Sequence, residues 1–207
     1  INAAQKPTII MGGGVMLARA AKQCVQLAEW FNIPIITTYM AKGGIPSDHP
    51  LNAGHAGIQV GQPIGNRVFL DYDLIIGIGC RFSDRHTGDI SVYRGNRSFI
   101  HINIEATEIG KIFQADLGIV ADAKFALEAL LTAAAASGRK KDSSRIDQLT
   151  AWRGELRRKT DFDNIPIKPQ RVYRELNNVF GNDAIFFFGC GLNQIWSGQL
   201  RDVSEPG

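Results

Sequence analysis

Short continuous apolar runs alternate along this chain with longer stretches in which apolar residues recur every three or four positions. The first run, Thr8-Ile9-Ile10-Met11, stops at Gly12-Gly13-Gly14, and an apolar run of this length bounded by glycine predicts a strand buried on both faces. After Val15 the period turns helical through Leu17, Ala20, Ala21, Cys24, Val25, Leu27, Ala28 and Phe31. Further strands are predicted at Asn32 to Thr38, Asp73 to Gly79, Ser98 to Ile104 and Leu117 to Val120, with short helices from Gly65 to Leu70 and Thr107 to Phe113. From Met40 to Gly61 the chain is rich in glycine, proline and histidine, which predicts a long loop of the kind that carries function. Asp122 stands where it caps a helix running through Phe125, Leu127 and Leu131.

Strands alternating with helices predict a doubly wound α/β fold, a mostly parallel Rossmann-like sheet with helices on both faces and right-handed crossovers. That domain is expected over residues 1–137. A linker follows by composition over 138–168, containing a helix from Ser144 to Lys159 whose Ile146, Leu149, Trp152 and Leu156 form a packing stripe. Residues 169–207 predict a helix from Pro169, a buried strand over Asp183 to Gly189 and a helix after Gly191. One strand and one helix have no sheet to join, so this stretch is expected to be the incomplete start of a second α/β domain.

Composition narrows the class. At 44% hydrophobic and 21% charged residues the chain is an ordinary soluble globular one. The net charge of +3 is scattered, and the basic runs Arg139-Lys140-Lys141 and Arg157-Arg158-Lys159 read as solvated linkers and helix ends, with no nucleic-acid partner implied. Cys24, Cys80 and Cys190 lack metal spacing and read as reduced core thiols of a cytoplasmic protein. No run is long enough to span a membrane, and the first residues resemble no signal peptide.

The candidate chemistry gathers where the strands end. Ligands of an open parallel sheet sit beyond the carboxyl ends of its strands. There this sequence places Gly12 to Gly14, Thr37 to Tyr39, Gly79 with Arg81 and Arg85, Asn103 with Glu105, and Asp122. A glycine turn opening a helix, with two arginines nearby, suits a phosphate; a plain tight turn explains three glycines equally well. The usual dinucleotide fingerprint fails, because Leu17 stands where its third glycine belongs and no acid ends the second strand. Asp84 reads as a partner for one arginine, His86 as a plain loop residue, and Asp122 as a cap before a nucleotide contact.

Three segments then carry a resemblance: Gly79-Cys80-Arg81-Phe82-Ser83-Asp84-Arg85-His86-Thr87-Gly88, His101-Ile102-Asn103-Ile104-Glu105-Ala106-Thr107-Glu108-Ile109-Gly110 and Ile119-Val120-Ala121-Asp122-Ala123-Lys124. They resemble the central domain of thiamin-diphosphate-dependent enzymes of the acetohydroxyacid synthase group. His86 in its Arg-His-Thr-Gly run and the stretch from Lys159 to Tyr173 are similar to the branch of the group that joins two glyoxylate molecules.

The resemblance implies a domain holding FAD in an extended pose, the flavin taking no redox part in the carboligation. The matching positions are Gly12, Gly13 and Gly14; Thr38, Tyr39 and Met40; Gly57, Ile58 and Gln59; Gly79, Arg81, Asp84 and Arg85; Asn103 and Ile104; Asp122 and Ala123. Ile58 and Gln59 stand where many synthases have methionine and histidine, and Asn103 where they have aspartate. Gly191, Asn193 and Gln194 resemble the segment that helps line the thiamin site, with Asn193 in place of the usual histidine.

The rest of the thiamin site is missing from this sequence: no Gly-Asp-Gly precedes a paired-asparagine motif for magnesium, and no activating acid of a pyrimidine domain is present. The resemblance therefore implies a piece of a homo-oligomeric carboligase acting on a small 2-oxo acid with thiamin diphosphate, magnesium and FAD. Its partners are the missing N- and C-terminal domains, and no catalytic or metal-binding residue is assigned here. The alternatives are a non-catalytic ADP- or NAD-binding or structural domain, or the same domain from an acetolactate or sulfoacetaldehyde enzyme.

Overall fold

The computed structural model describes residues 1–137 and 142–205. Arg139, Lys140 and Lys141, which open the expected linker, lie outside the described residues. Strands Pro7–Met11 (β1), Ile35–Thr37 (β2), Asn52–His55 (β3), Leu74–Ile78 (β4), Ser98–Asn103 (β5) and Leu117–Val120 (β6) form one sheet in the order β3-β2-β1-β4-β5-β6. Every pair is parallel. The chain winds outward from β1 to β3, returns to lay β4 on the other side of β1, and winds away again, so its direction reverses between β1 and β4.

The helices are Gly13–Leu17 (α1), Ala21–Phe31 (α2), Pro63–Asp71 (α3), Asp84–Thr87 (α4), Ile90–Arg94 (α5), Ala123–Ser137 (α6), Ser144–Leu156 (α7), Pro169–Val179 (α8) and Leu192–Leu200 (α9). Successive strand residues point to opposite faces, and here both faces are covered. Ile9, Met11, Ile35, Ile76, Ile78 and Ile102 pack with Leu27 and Phe31 of α2 and Leu127 of α6. Ile10, Ile36, Ile75 and Phe99 pack with Val68 and Phe69 of α3, Tyr93 of α5, and Leu149 and Trp152 of α7. The predicted doubly wound architecture is present, and the stripe on α7 is a packing stripe, as its spacing implied.

Several elements differ from expectation for identifiable reasons. Part of the expected loop from Met40 to Gly61 is β3, which makes the sheet six strands wide. Asn52-Ala53-Gly54-His55 has no strand composition of its own and is extended because β2 offers it a ladder, with Ile35 and Thr37 opposite Asn52 and His55. The helix expected from Val15 onward breaks at Arg19, which takes φ +52 and divides α1 from α2. The helix expected over Thr107 to Phe113 shrinks to the 3-10 turn Ala106–Glu108, and α7 ends at Leu156 rather than Lys159.

The strand expected over Asp183 to Gly189 does not form. Among the described residues no strand lies beside it, and a lone strand has no partners for its backbone groups. Phe186 and Phe188 face each other with ring centroids 6.0 Å apart, while Ile185 and Phe187 are 84% and 93% exposed. Cys190, expected in a core, is exposed; Cys24 and Cys80 are buried and all three are free thiols.

Helix α7 is fastened by two arginines. The buried Arg145 donates from Nη2 to the Gln5 carbonyl at 2.7 Å. Arg153 donates from Nη2 to the carbonyls of His49, Pro50 and Asn52 at 2.6, 3.1 and 2.7 Å, so one guanidinium gathers the main chain leading into β3. Arg153→Met keeps the stem and removes these bonds; we expect a loss of about 1–3 kcal/mol, read from urea midpoints at constant slope.

Candidate functional site

The sheet changes direction between β1 and β4, and that is where an open α/β sheet forms its crevice. The loops leaving these two strands are in backbone contact. Gly12 N–H donates to the Ile78 carbonyl and Gly14 N–H to the Gly79 carbonyl, both at 2.9 Å. A Cβ on Gly12 would lie 2.2 Å from the Gly79 oxygen, and one on Gly79, which holds φ +61, would lie 2.7 Å from the Gly14 Cα. These glycines therefore let backbone approach backbone, and two turn donors are spent on strand carbonyls. Gly13 is less crowded: its Cβ would meet the Met40 Cβ at 3.0 Å and the Met40 carbonyl oxygen at 3.8 Å.

The loop after β4 is pinned at both ends and thrown outward between them. The Cys80 carbonyl accepts from His101 Nε2 at 2.8 Å and from Asn103 Nδ2 at 3.0 Å. Phe82 takes φ +50 and inserts its ring among Tyr93, Phe99, His101 and Phe113, with centroid distances of 6.1, 6.0, 4.8 and 5.1 Å. Burying so large an aromatic offsets the cost of a left-handed residue. Arg81, Asp84 and Arg85 stand exposed on either side of it. The Asp84 carboxylate accepts from the Arg85 N–H at 2.8 Å, and among the described residues neither Arg81 nor Arg85 pairs with a carboxylate. Asp84 thus does not neutralise either arginine.

The other predicted positions follow the remaining strands on the same edge. Thr38 N–H donates to the Met11 carbonyl at 2.9 Å, setting Thr38, Tyr39 and the 73% exposed Met40 beside the glycine turn. Gly57, at φ +118, lies so close to α4 that a Cβ would come 2.6 Å from the His86 oxygen, and its N–H donates to Asn66 Oδ1 at 2.8 Å. Ile58, 71% exposed, and the half-buried Gln59 come next. Asn103 uses its amide for Cys80 and its Oδ1 for the Glu105 N–H at 3.0 Å; Ile104 beside it is exposed. Asp122 Oδ1 caps α6 through the N–H groups of Lys124 and Phe125 at 2.8 and 3.4 Å, ahead of the buried Ala123.

Gly191, Asn193 and Gln194 lie elsewhere, at the start of α9, where Asn193 Oδ1 accepts the Gln194 N–H at 2.9 Å. What reaches the sheet edge is the last turn of α9. Lys42 Nζ donates to the Gly198 carbonyl at 3.1 Å and Gln62 Nε2 to the Gln199 carbonyl at 2.7 Å. Lys42, His55, Gln62 and Ser197 were not predicted for this region, since nothing in their local sequence shows that a helix from the far end of the chain closes over them.

Electrostatically the edge divides into buried histidines and exposed charges of both signs, Arg81 and Arg85 with Asp84 and Glu105. Burial, helped by Lys42, pushes His55 down to about 3; its Nδ1 lies 2.8 Å from Thr37 Oγ1 and 3.0 Å from the Thr37 carbonyl. Burial likewise pushes His86 down to about 4, and among the described residues its Nε2 has no hydrogen-bond partner. It is a packed residue edge-on to Tyr93, centroids 5.6 Å apart, rather than the plain loop histidine expected. Burial lowers Lys42 to about 8 despite the attraction of Asp202, and raises the Cys24 and Cys80 thiols to about 12, which leaves both inert. A hollow of about 450 Å³ between α6 and the sheet is lined by Ile76, Ile100, Ile119, Leu130 and Ala134 and holds none of the predicted site residues. Among the described residues no three metal-ligating side chains cluster, and no helix is long and apolar enough to cross a membrane.

Comparison with known proteins gives a consistent picture. A family model described as thiamine pyrophosphate enzyme, central domain, matches residues 1–130. Glyoxylate carboligase of Escherichia coli O157:H7 is 42% identical over 207 residues, covering 97% of this chain and 34% of that protein. A probable acetolactate synthase large subunit of Methanocaldococcus jannaschii is 39% identical, covering 100% of this chain and 36% of its own length. The acetolactate synthase large subunit of Corynebacterium glutamicum is 36% identical, with 100% and 33% covered. The chain spans about a third of the length of these relatives.

Two outcomes follow from the geometry. Gly79→Ala adds a left-handed alanine and a collision with the Gly14 backbone; we expect a loss of at least ~2 kcal/mol in urea unfolding, and a smaller loss for Gly13→Ala, whose nearest contact is the Met40 Cβ at 3.0 Å. His55 and His86 also hold their protons less tightly than the ordinary 6.5, and burial lowers His101 in the same direction. The unfolded chain then binds the extra protons, so stability falls as pH drops from about 6.5 toward 4 for His86 and toward 3 for His55, by ~1.4 kcal/mol per pH unit per histidine. Urea midpoints from pH 7 to 4 should show this slope, and His86→Phe should remove one proton's worth of it.

Proposed function

The chain belongs to the thiamine pyrophosphate enzymes, whose central domain it carries, and from that premise we propose that its carboxyl edge holds FAD in an extended pose. The observation that carries this reading is the pair of exposed guanidiniums, Arg81 and Arg85, which a loop anchored by Phe82 presents beside the β1–β4 crevice with no carboxylate partner among the described residues. Two exposed cations on a loop anchored by a buried ring suit a diphosphate. The residues present fit the group: Gly13, next to the exposed Met40, puts no side chain on the turn that follows β1. Asp122 has a second carboxylate oxygen free of partners among the described residues for a ribose hydroxyl. Asn103 contributes by fixing Cys80, and Gly12, Gly14 and Gly79 by bringing the two loops together. Thr38 to Met40 and Gly57 to Gln59 flank the ligand. The flavin's part is structural and adds no redox step.

In the whole protein, the reading continues, this domain sits between N- and C-terminal domains of a homo-oligomer that uses thiamin diphosphate and magnesium. The reaction joins two glyoxylate molecules to tartronate semialdehyde with release of carbon dioxide. The 42% identity to a glyoxylate carboligase favours that substrate over the pyruvate-type acids of acetolactate synthesis. Residues 1–137 form the central domain, with 138–168 as a linker whose helix α7 docks back on the sheet, and 169–207 begin the thiamin-diphosphate domain, where Gly191, Asn193 and Gln194 face the cofactor. This chain alone lacks the groups for turnover.

The test is a visible absorbance titration of the purified chain with FAD and, in parallel, with ADP. We expect saturable FAD binding, weakened about tenfold or more in Arg81→Ala, and no carbon dioxide from glyoxylate with all three cofactors added. Binding of ADP with no preference for FAD, or a variant that binds as wild type does, would overturn the flavin assignment.

A further inference from the structure

The family resemblance implies one cofactor segment at Tyr39 and another at Gln194, far apart in the chain, and the structure joins them through one serine. Ser197 is fully buried. Its hydroxyl donates to the Gln194 carbonyl at 2.8 Å. A serine hydroxyl has a single proton, so its other hydrogen bond, 3.0 Å from the Tyr39 hydroxyl, is one that Tyr39 donates. The direction is therefore fixed: Tyr39 donates to Ser197, and Ser197 donates to Gln194. Tyr173 of α8 donates its hydroxyl to the neighbouring Asn193 carbonyl at 2.8 Å.

The same helix is held at its other end. The last carbonyls of a helix lack intrahelical donors and carry partial negative charge. In α9 the Gly198 carbonyl accepts from Lys42 and the Gln199 carbonyl from Gln62. The seat is tight, because a Cβ on Gly198 would lie 3.1 Å from both Tyr39 and Val60. Three consecutive residues, Ser197, Gly198 and Gln199, are thus each bonded to a side chain from the loops that follow β2 and β3. A nine-residue helix is a rigid rod of about 14 Å, so its first turn cannot shift without disturbing its last.

We propose that Ser197 is a positioning residue that couples the two cofactor segments. The chain Tyr39–Ser197–Gln194, with Lys42 and Gln62 holding the adjoining carbonyls, makes the seat of α9 depend on whether the crevice at Tyr39 is occupied. By linkage the crevice affinity depends equally on the seat of α9. A ligand that orders Tyr39 orders the Gly191 to Gln194 segment with it. The proposal rests on the flavin reading for its probe.

Amide hydrogen exchange over residues 192–200 of this chain, with and without saturating FAD or ADP, is the measurement. FAD is expected to slow exchange there at least fivefold; Tyr39→Phe and Ser197→Ala should abolish that change and weaken FAD binding by the same factor. Tyr39→Phe removes only a hydroxyl and carries the test if Ser197→Ala does not fold. Saturable FAD binding with unchanged α9 exchange, or variants that bind FAD as wild type does, would overturn the coupling and leave the flavin reading standing. Coupling seen with ADP but no FAD binding would sustain the relay and overturn the flavin. No saturable binding of either would end both.

Discussion

The constraint on which this structure depends is the absence of side chains where the loops after β1 and β4 meet. Gly12 and Gly14 lie against Gly79 with their N–H groups on the Ile78 and Gly79 carbonyls, and even a methyl group would separate them. Because the two strands bracket the reversal of the sheet, this contact fixes the floor of the crevice. The loop after β4 then rises from a defined point, and Phe82 decides its course by burying its ring on the β5 side. The exposure of Arg81 and Arg85 is a consequence of that burial.

The charge distribution follows the same division between packed and open. A buried charge without a partner is costly, and the histidines under the edge meet that cost by remaining neutral, His55 against Thr37 and His86 against Tyr93. Arg81 and Arg85 escape it by being solvated, which leaves their charge available to a ligand. Lys42 is intermediate: desolvation outweighs Asp202, yet the ammonium finds an acceptor at the end of α9, where a helix offers its spare carbonyls.

Elements outside the sheet are attached by a few long polar side chains in addition to apolar packing. Arg145 and Arg153 fasten α7 by reaching main-chain carbonyls, and Lys42 and Gln62 do the same for α9. The segment from Asp183 to Gly189 shows what happens without such a partner. Its residues have strand propensity and its phenylalanines alternate between half-buried and exposed as in a strand, but propensity creates no ladder, and the backbone pairs with nothing in the sheet.

The sequence by itself determined the fold class, because runs buried on both faces, separated by helical periods, have few ways to pack other than a parallel sheet between two helical layers. It also determined which edge carries the chemistry, since polar and glycine residues follow each strand in turn. Its motifs pointed to the family to which the matched central-domain model assigns the chain. Local signals such as the Asp122 cap and the proline start of α8 were equally legible, being set by neighbours within a few residues. Only the tertiary structure decided what the glycines do, because whether a bare backbone meets a ligand or another loop depends on a residue sixty-odd positions away. It alone created β3, which borrows its extended form from β2, and denied the same form to Asp183 to Gly189. It alone joined Tyr39 to Gln194 through Ser197, a contact between distant parts of the chain that no local pattern encodes.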